Sequence, residues 1–166
     1  AFMKTIEDAR ELSRRMVEIG NSVGRKTIAV LTNMEEPLGY SIGNANEIIE
    51  GIEALKGNWS NDLKEVVYEI VYLALKHKGE VETFEQASKI IDNVIANGKA
   101  LELLKEFIEL SGGNGEVVND YSLLPTPKSV LEVYSNEEGY ITKIKAEEIG
   151  KAAMVIGAGR ATKEDE

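Results

Sequence analysis

The chain has 166 residues, a hydrophobic fraction of 43% and a formal net charge of −10. That length suits one domain, or one domain with an appendage, and the apolar content is enough for a sizeable core. It contains no cysteine, which excludes disulfides and thiolate metal sites; the acidic balance argues against nucleic acid; and no apolar run reaches the length of a membrane span.

No secretory signal is read ahead of the first helix. The opening AFMKT and the closing GRATKEDE read as cut ends, so a fragment or an excised domain is expected. Thr5 is placed as an N-cap with Asp8 in the first turn. Ile6, Ala9, Leu12, Met16 and Ile19 then recur at helical spacing, up to Val23-Gly24. Lys26 to Thr32, KTIAVLT, is β-branched and continuously apolar, and predicts a buried, parallel strand. NMEEPLGYSIGNANE follows, with one proline, two glycines and three asparagines before the next helix, Asn44 to Lys56, ends at Gly57. A plain connection needs only a few residues, so this loop either holds something or lets something move.

Ser60 opens a third helix with a broad apolar face of Leu63, Val66, Val67, Ile70, Val71, Ala74 and Leu75, closed by Gly79. Thr83 to Gln86 has the capping-box pattern and starts a fourth, up to Gly98. A fifth runs from Lys99 to about Leu110. SGGNGEVVNDYSLLPTPKS, Ser111 to Ser129, reads as a long connection or domain boundary. SVLEVYS and GYITKIK alternate like strands around an NEEG turn, and AEEIGKAAMVIG reads as a short helix before Gly157-Ala158-Gly159-Arg160.

Few residues suggest chemistry. His77, the one histidine, falls near the end of the third helix, where the dipole favours a cation, and has no evident catalytic partner. Trp59 reads as packing between two helices. GAGR could cradle a phosphate with backbone N–H groups, but it has no full phosphate-loop pattern, and a tight turn after a helix is the favoured reading. The loop after the first strand is the better candidate. Its glycines can aim carbonyl oxygens inward, and Glu47 or Glu50 of the next helix can add a carboxylate, a donor set suited to a hard cation.

The segments AFMKTIEDARELSRRMVEIG, LTNMEEPLGYSIGNANEIIEGIEALKG, NGKALE, LP and EEIGKAAMVIGAGRATKE together resemble the thymidine and pyrimidine-nucleoside phosphorylases, in order and over nearly the whole chain. The family pattern M-x-x-P-L-G-x-x-I-G-N-A-x-E is met by Met34, Pro37-Leu38-Gly39, Ile42-Gly43-Asn44-Ala45 and Glu47. Asn46 stands where a leucine is usual. The phosphate-binding motif K-x-S-T-G-G occurs nowhere in the sequence.

The resemblance implies an α/β fold: the helix-rich later part of a mixed α/β phosphorylase domain over 1–115, a linker over 116–128, and an incomplete α+β C-terminal domain over 129–166. It implies a cytoplasmic homodimer catalysing reversible phosphorolysis of pyrimidine nucleosides, with no membrane or nucleic-acid partner. No catalytic residue is expected within this chain, and the chain alone is expected to be inactive. Phe2 matches the phenylalanine lying against the pyrimidine, with plain core packing as its alternative. Leu38 and Ser41, through their carbonyls, and Glu50 match the ligands of a potassium ion, expected to be unbound in the isolated chain. A non-catalytic partner domain and a related phosphoribosyltransferase are the alternatives.

Overall fold

The computed structural model describes Met3 and residues 5–158. Two units divide the chain, Ala1–Met34 and Glu35–Glu166.

The first unit is built on α1, Ile6–Ser22. The Thr5 hydroxyl oxygen accepts the Asp8 amide at 3.1 Å and donates to the Asp8 carboxylate at 2.8 Å, which satisfies one of the orphan donors of the first turn. At the other end Gly24 takes φ +76°, and the Arg25 amide donates back to the Gly20 carbonyl at 2.9 Å. This paired closure of the last carbonyls explains the abrupt stop. The chain returns so closely that a Cβ on Gly20 would lie 2.0 Å from Thr27 Oγ1. Met16, Ile19 and Val23 stay exposed and, with Gly20 and Arg25, line a shallow apolar groove.

The second unit is helical: α2 (Asn44–Leu55), α3 (Asn61–Lys78), α4 (Phe84–Ala96), α5 (Lys99–Leu110) and α6 (Ala146–Val155), with 3₁₀ turns at Gly115–Val118 and Tyr121–Leu123. Helix α3 packs on α4, α4 on α5, and α5 on both α2 and the first 3₁₀ turn. The α4 start is the expected capping box: Thr83 Oγ1 accepts the Gln86 amide at 3.3 Å, and Gln86 Oε1 accepts the Thr83 amide at 3.2 Å. Tyr68 of α3, buried, donates its hydroxyl to Asp92 of α4 at 2.7 Å. Trp59 meets the edge of Tyr68 at 5.8 Å between ring centres, so it is packing as expected.

The core gathers around Ile52 of α2, which is fully buried, with Val117 and Val118. Leu101, Leu104, Ile108, Tyr121 and Leu124 pack against it. Part of the segment expected as a connection or domain boundary is therefore core. Asn114 Oδ1 and Asp120 Oδ1 accept the amides of Glu116 and Ser122, at 3.0 and 2.9 Å, and these local bonds fold the segment into turns that present the two valines inward.

The expected strands are a correction. No β-strand occurs among the described residues. Lys26–Thr32 carries no regular secondary structure, and Ile28, Val30 and Leu31 are exposed. SVLEVYS and GYITKIK are likewise irregular and solvated, with Tyr140 97% exposed. A strand-like pattern marks residues that fit a pleated, half-buried surface; it makes no ladder without a neighbouring backbone to pair with. What the fold shows is the helix-rich character, without the sheet.

Candidate functional site

The glycine-rich loop between Pro37 and Gly43 is held by carboxylates. Glu50, at the middle of α2, accepts the Tyr40 amide on Oε1 at 2.8 Å and the Ser41 amide on Oε2 at 3.0 Å. Glu47, one turn earlier, accepts the Gly43 amide at 3.0 Å. Asp62, in the first turn of α3, accepts the Gly39 amide at 2.8 Å. Spacing explains the pair on α2: residues three apart on a helix lie on one face, here the face beneath the loop. Bonding to the Gly39 amide holds the Asp62 carboxyl below the usual aspartate range, against the desolvation that opposes it.

Gly39 needs its missing side chain twice over. Its φ is +73°, and a Cβ there would lie 2.6 Å from both carboxylate oxygens of Glu50. Gly43, also at positive φ and buried, has Ala158 close by: a Cβ would lie 3.0 Å from that methyl. The Ala146 amide at the start of α6 donates to the Glu35 carbonyl at 2.8 Å. The loop is therefore flanked by three helices, α2, α3 and α6.

Of the residues picked from sequence, the loop brings Ser41 and Glu50 together, with Leu38 in the peptide unit before Gly39. Phe2, Gly159 and Arg160 lie outside the described residues. His77 is exposed in the last turn of α3 beside Lys76 and Lys78. Gly157 closes α6 at φ +92°, which matches a turn after a helix. Asp62 escaped the sequence reading. A carboxylate in a helix's first turn has a sufficient local explanation in the helix dipole, and nothing local signals that it reaches back 23 residues.

The donor set tests whether a cation fits. Glu47, Glu50 and Asp62 converge on one loop, and among the described residues no lysine or arginine forms an ion pair with any of them. Their charge is met by the backbone amides of the loop rather than by a cationic side chain. Among the described residues, no three acidic or histidine side chains are close enough together to hold a metal by themselves. A cation held by this loop would have to draw on backbone oxygens as well, a donor set of the hard-cation kind rather than of a zinc-type centre.

These features, a helical scaffold and a glycine-rich loop clamped by acidic side chains, fit the phosphorylase resemblance, and comparison with known proteins supports it along the whole chain. Residues 140–166 match the family described as the pyrimidine nucleoside phosphorylase C-terminal domain. The chain is similar from end to end to part of the pyrimidine-nucleoside phosphorylases: it is 48% identical to that of Bacillus subtilis (strain 168), with 100% of this chain and 38% of that protein covered. Identity to the Geobacillus stearothermophilus protein is 44%, covering 99% of this chain and 38% of that one. The Staphylococcus haemolyticus (strain JCSC1435) protein is also 44% identical, with 100% and 38% covered. The chain thus spans little more than a third of the length of these relatives.

Proposed function

We propose that this chain is the later part of the catalytic α/β domain and the beginning of the C-terminal domain of a pyrimidine-nucleoside phosphorylase. The carrying observation is the end-to-end similarity at 48% identity, together with the clamped loop. In the whole protein, a pentosyltransferase, phosphate attacks the anomeric carbon of thymidine, uridine or deoxyuridine. The C–N bond breaks, and the products are the free base and a pentose 1-phosphate. Such a reaction depends on holding phosphate and nucleoside in line and meeting the charge of the departing base.

The residues of this chain have a supporting part. Glu50 and the carbonyls of Leu38 and Ser41 hold a potassium ion whose charge steadies the phosphate-binding loop of the rest of the protein. Phe2 lies against the pyrimidine. Lys26–Thr32 and the alternating segments after Ser129 are strands of the complete mixed α/β and α+β domains, where neighbouring strands pair with them. The whole protein is a cytoplasmic homodimer with no membrane or nucleic-acid partner; among the described residues no helix is long and apolar enough to cross a membrane.

Release of free base from thymidine and uridine, with and without phosphate and potassium, tests this. The chain joined to the remainder of its protein is expected to turn over both nucleosides only with phosphate, and faster with potassium. The chain alone is expected to give none, since lost positioning of phosphate and nucleoside can cost about 7–11 kcal/mol. Turnover by the chain alone, abolished by changing Phe2, contradicts this assignment of the active site.

A further inference from the structure

The loop's amides are held from two different helices, and the two do different work. Glu47 and Glu50 belong to the helix that the loop runs into, so their bonds to Gly43, Tyr40 and Ser41 are local, at most 10 residues apart. Asp62 belongs to α3, beyond the turn that follows α2, and takes the Gly39 amide 23 residues away at 2.8 Å. A peptide unit is planar, and no cis peptide occurs among the described residues. The Leu38 carbonyl therefore points opposite to the Gly39 N–H. Fixing that N–H on Asp62 fixes where the Leu38 oxygen is aimed. Gly39 is also the residue at which this peptide could most easily rotate, because its backbone lies where glycine is nearly unrestrained.

We propose that Asp62 is a positioning residue for the cation site: its carboxylate, by holding the Gly39 amide, turns the Leu38 carbonyl toward the ion. The inference rests on the reading of the loop as a potassium site of a phosphorylase. Asp62 does not touch the ion; it acts through one peptide plane. A charge-assisted acceptor suits this task, since bonds to a carboxylate are shorter and stronger than neutral ones. Placement at the start of α3 adds rigidity, because α3 is anchored on α4 through the Tyr68–Asp92 bond.

The experiment has two arms, on Asp62→Ala and Asp62→Asn. Asparagine keeps an oxygen acceptor of nearly the same shape, so it is the conservative variant. In this chain, amide hydrogen exchange at Gly39 is read beside exchange at Ile52 and Val118, which report the core. Asp62→Ala is expected to speed exchange at Gly39 roughly 10-fold or more while the core amides stay protected, and Asp62→Asn to restore most of the protection. In the protein at full length, the potassium concentration giving half-maximal phosphorolysis is expected to rise roughly 10-fold in Asp62→Ala, as for other residues that orient ligands. The rise is expected to be smaller in Asp62→Asn, with kcat at saturating potassium changed far less. Unaltered Gly39 exchange in Asp62→Ala, or an unchanged potassium requirement beside a potassium-responsive wild type, overturns the proposal. A full-length wild type that ignores potassium overturns the ion-site reading itself, and the ion-directing part of this proposal with it.

Discussion

At Gly39 a single hydrogen atom in place of a methyl group decides whether the loop can close. Gly39→Ala is expected to destabilise the chain by at least about 1–2 kcal/mol through the left-handed backbone alone. It should cost more than Gly79→Ala, where φ is nearly the same, at +76°, but nothing lies within 4 Å of the added methyl. The difference, read from urea unfolding of the two variants, measures the clash with Glu50; equal costs would show the carboxylate moves aside freely. Glu50→Gln is a gentler change at the same place. The amide oxygen still accepts one loop N–H, but the charge is gone and an NH₂ faces the second. In the full-length protein the variant is expected to need more potassium, roughly 10-fold, and to show a higher KM for phosphate. Unchanged phosphate and salt responses would mean that Glu50 merely supports the loop.

At the scale of elements, three contacts tie the helices and the 3₁₀ turns together. Ile52 carries α2 into the valines of the first 3₁₀ turn. Ile52→Ala is expected to cost about 2–4 kcal/mol and to raise amide exchange at Val117 and Val118, sequence-distant residues that share its cavity; protection left intact there would show the turn stands without α2. The same end of α2 is tied a second way: Tyr121 donates its hydroxyl to Glu53, and Lys56 donates to the Tyr121 oxygen at 2.8 Å. Between α3 and α4 the key contact is Tyr68. Burial first, and then the bond to Asp92, push its phenol up to about 12 from 10.0. A raised folded-state pKa stabilises the fold fully below the unfolded value, near pH 10, and the benefit is lost as pH rises through about 12. Stability measured by denaturant titration is expected to fall across pH 10–12 by up to about 3 kcal/mol, and Tyr68→Phe should lack that part of the fall. Identical alkaline profiles for the two proteins would remove Tyr68 as the cause.

At the scale of the molecule, apolar surface is left without a cover. The α1 groove and the irregular segments around Val130, Leu131, Tyr140 and Ile141 are exposed. Exposed apolar patches of this kind drive association. Sedimentation of the isolated chain is expected to show concentration-dependent self-association, weakened by Met16→Lys together with Ile141→Lys. A chain that remains monomeric at every concentration, wild type and variant alike, would show that these surfaces are tolerated in water.

The six helices of the described residues were legible from sequence because their causes are local. Apolar residues recur at helical spacing, Thr5 and Thr83 cap their starts, and glycines such as Gly24 and Gly79 stop them within a residue or two of the expected place. The loop's importance was legible too, from a composition that no plain connection needs. Three things were not. The burial of Val117 and Val118 depends on Ile52 and α5, far away in the chain. The reach of Asp62 to Gly39 depends on how α3 is set after α2. And the strand-like segments have the right side chains but no ladder, because a strand is completed by a neighbour's backbone. Local chemistry determines what a segment can become; the presence and placement of its partners decides what it is, since packing and pairing energies belong to contacts between distant parts of the chain and not to any one stretch of it.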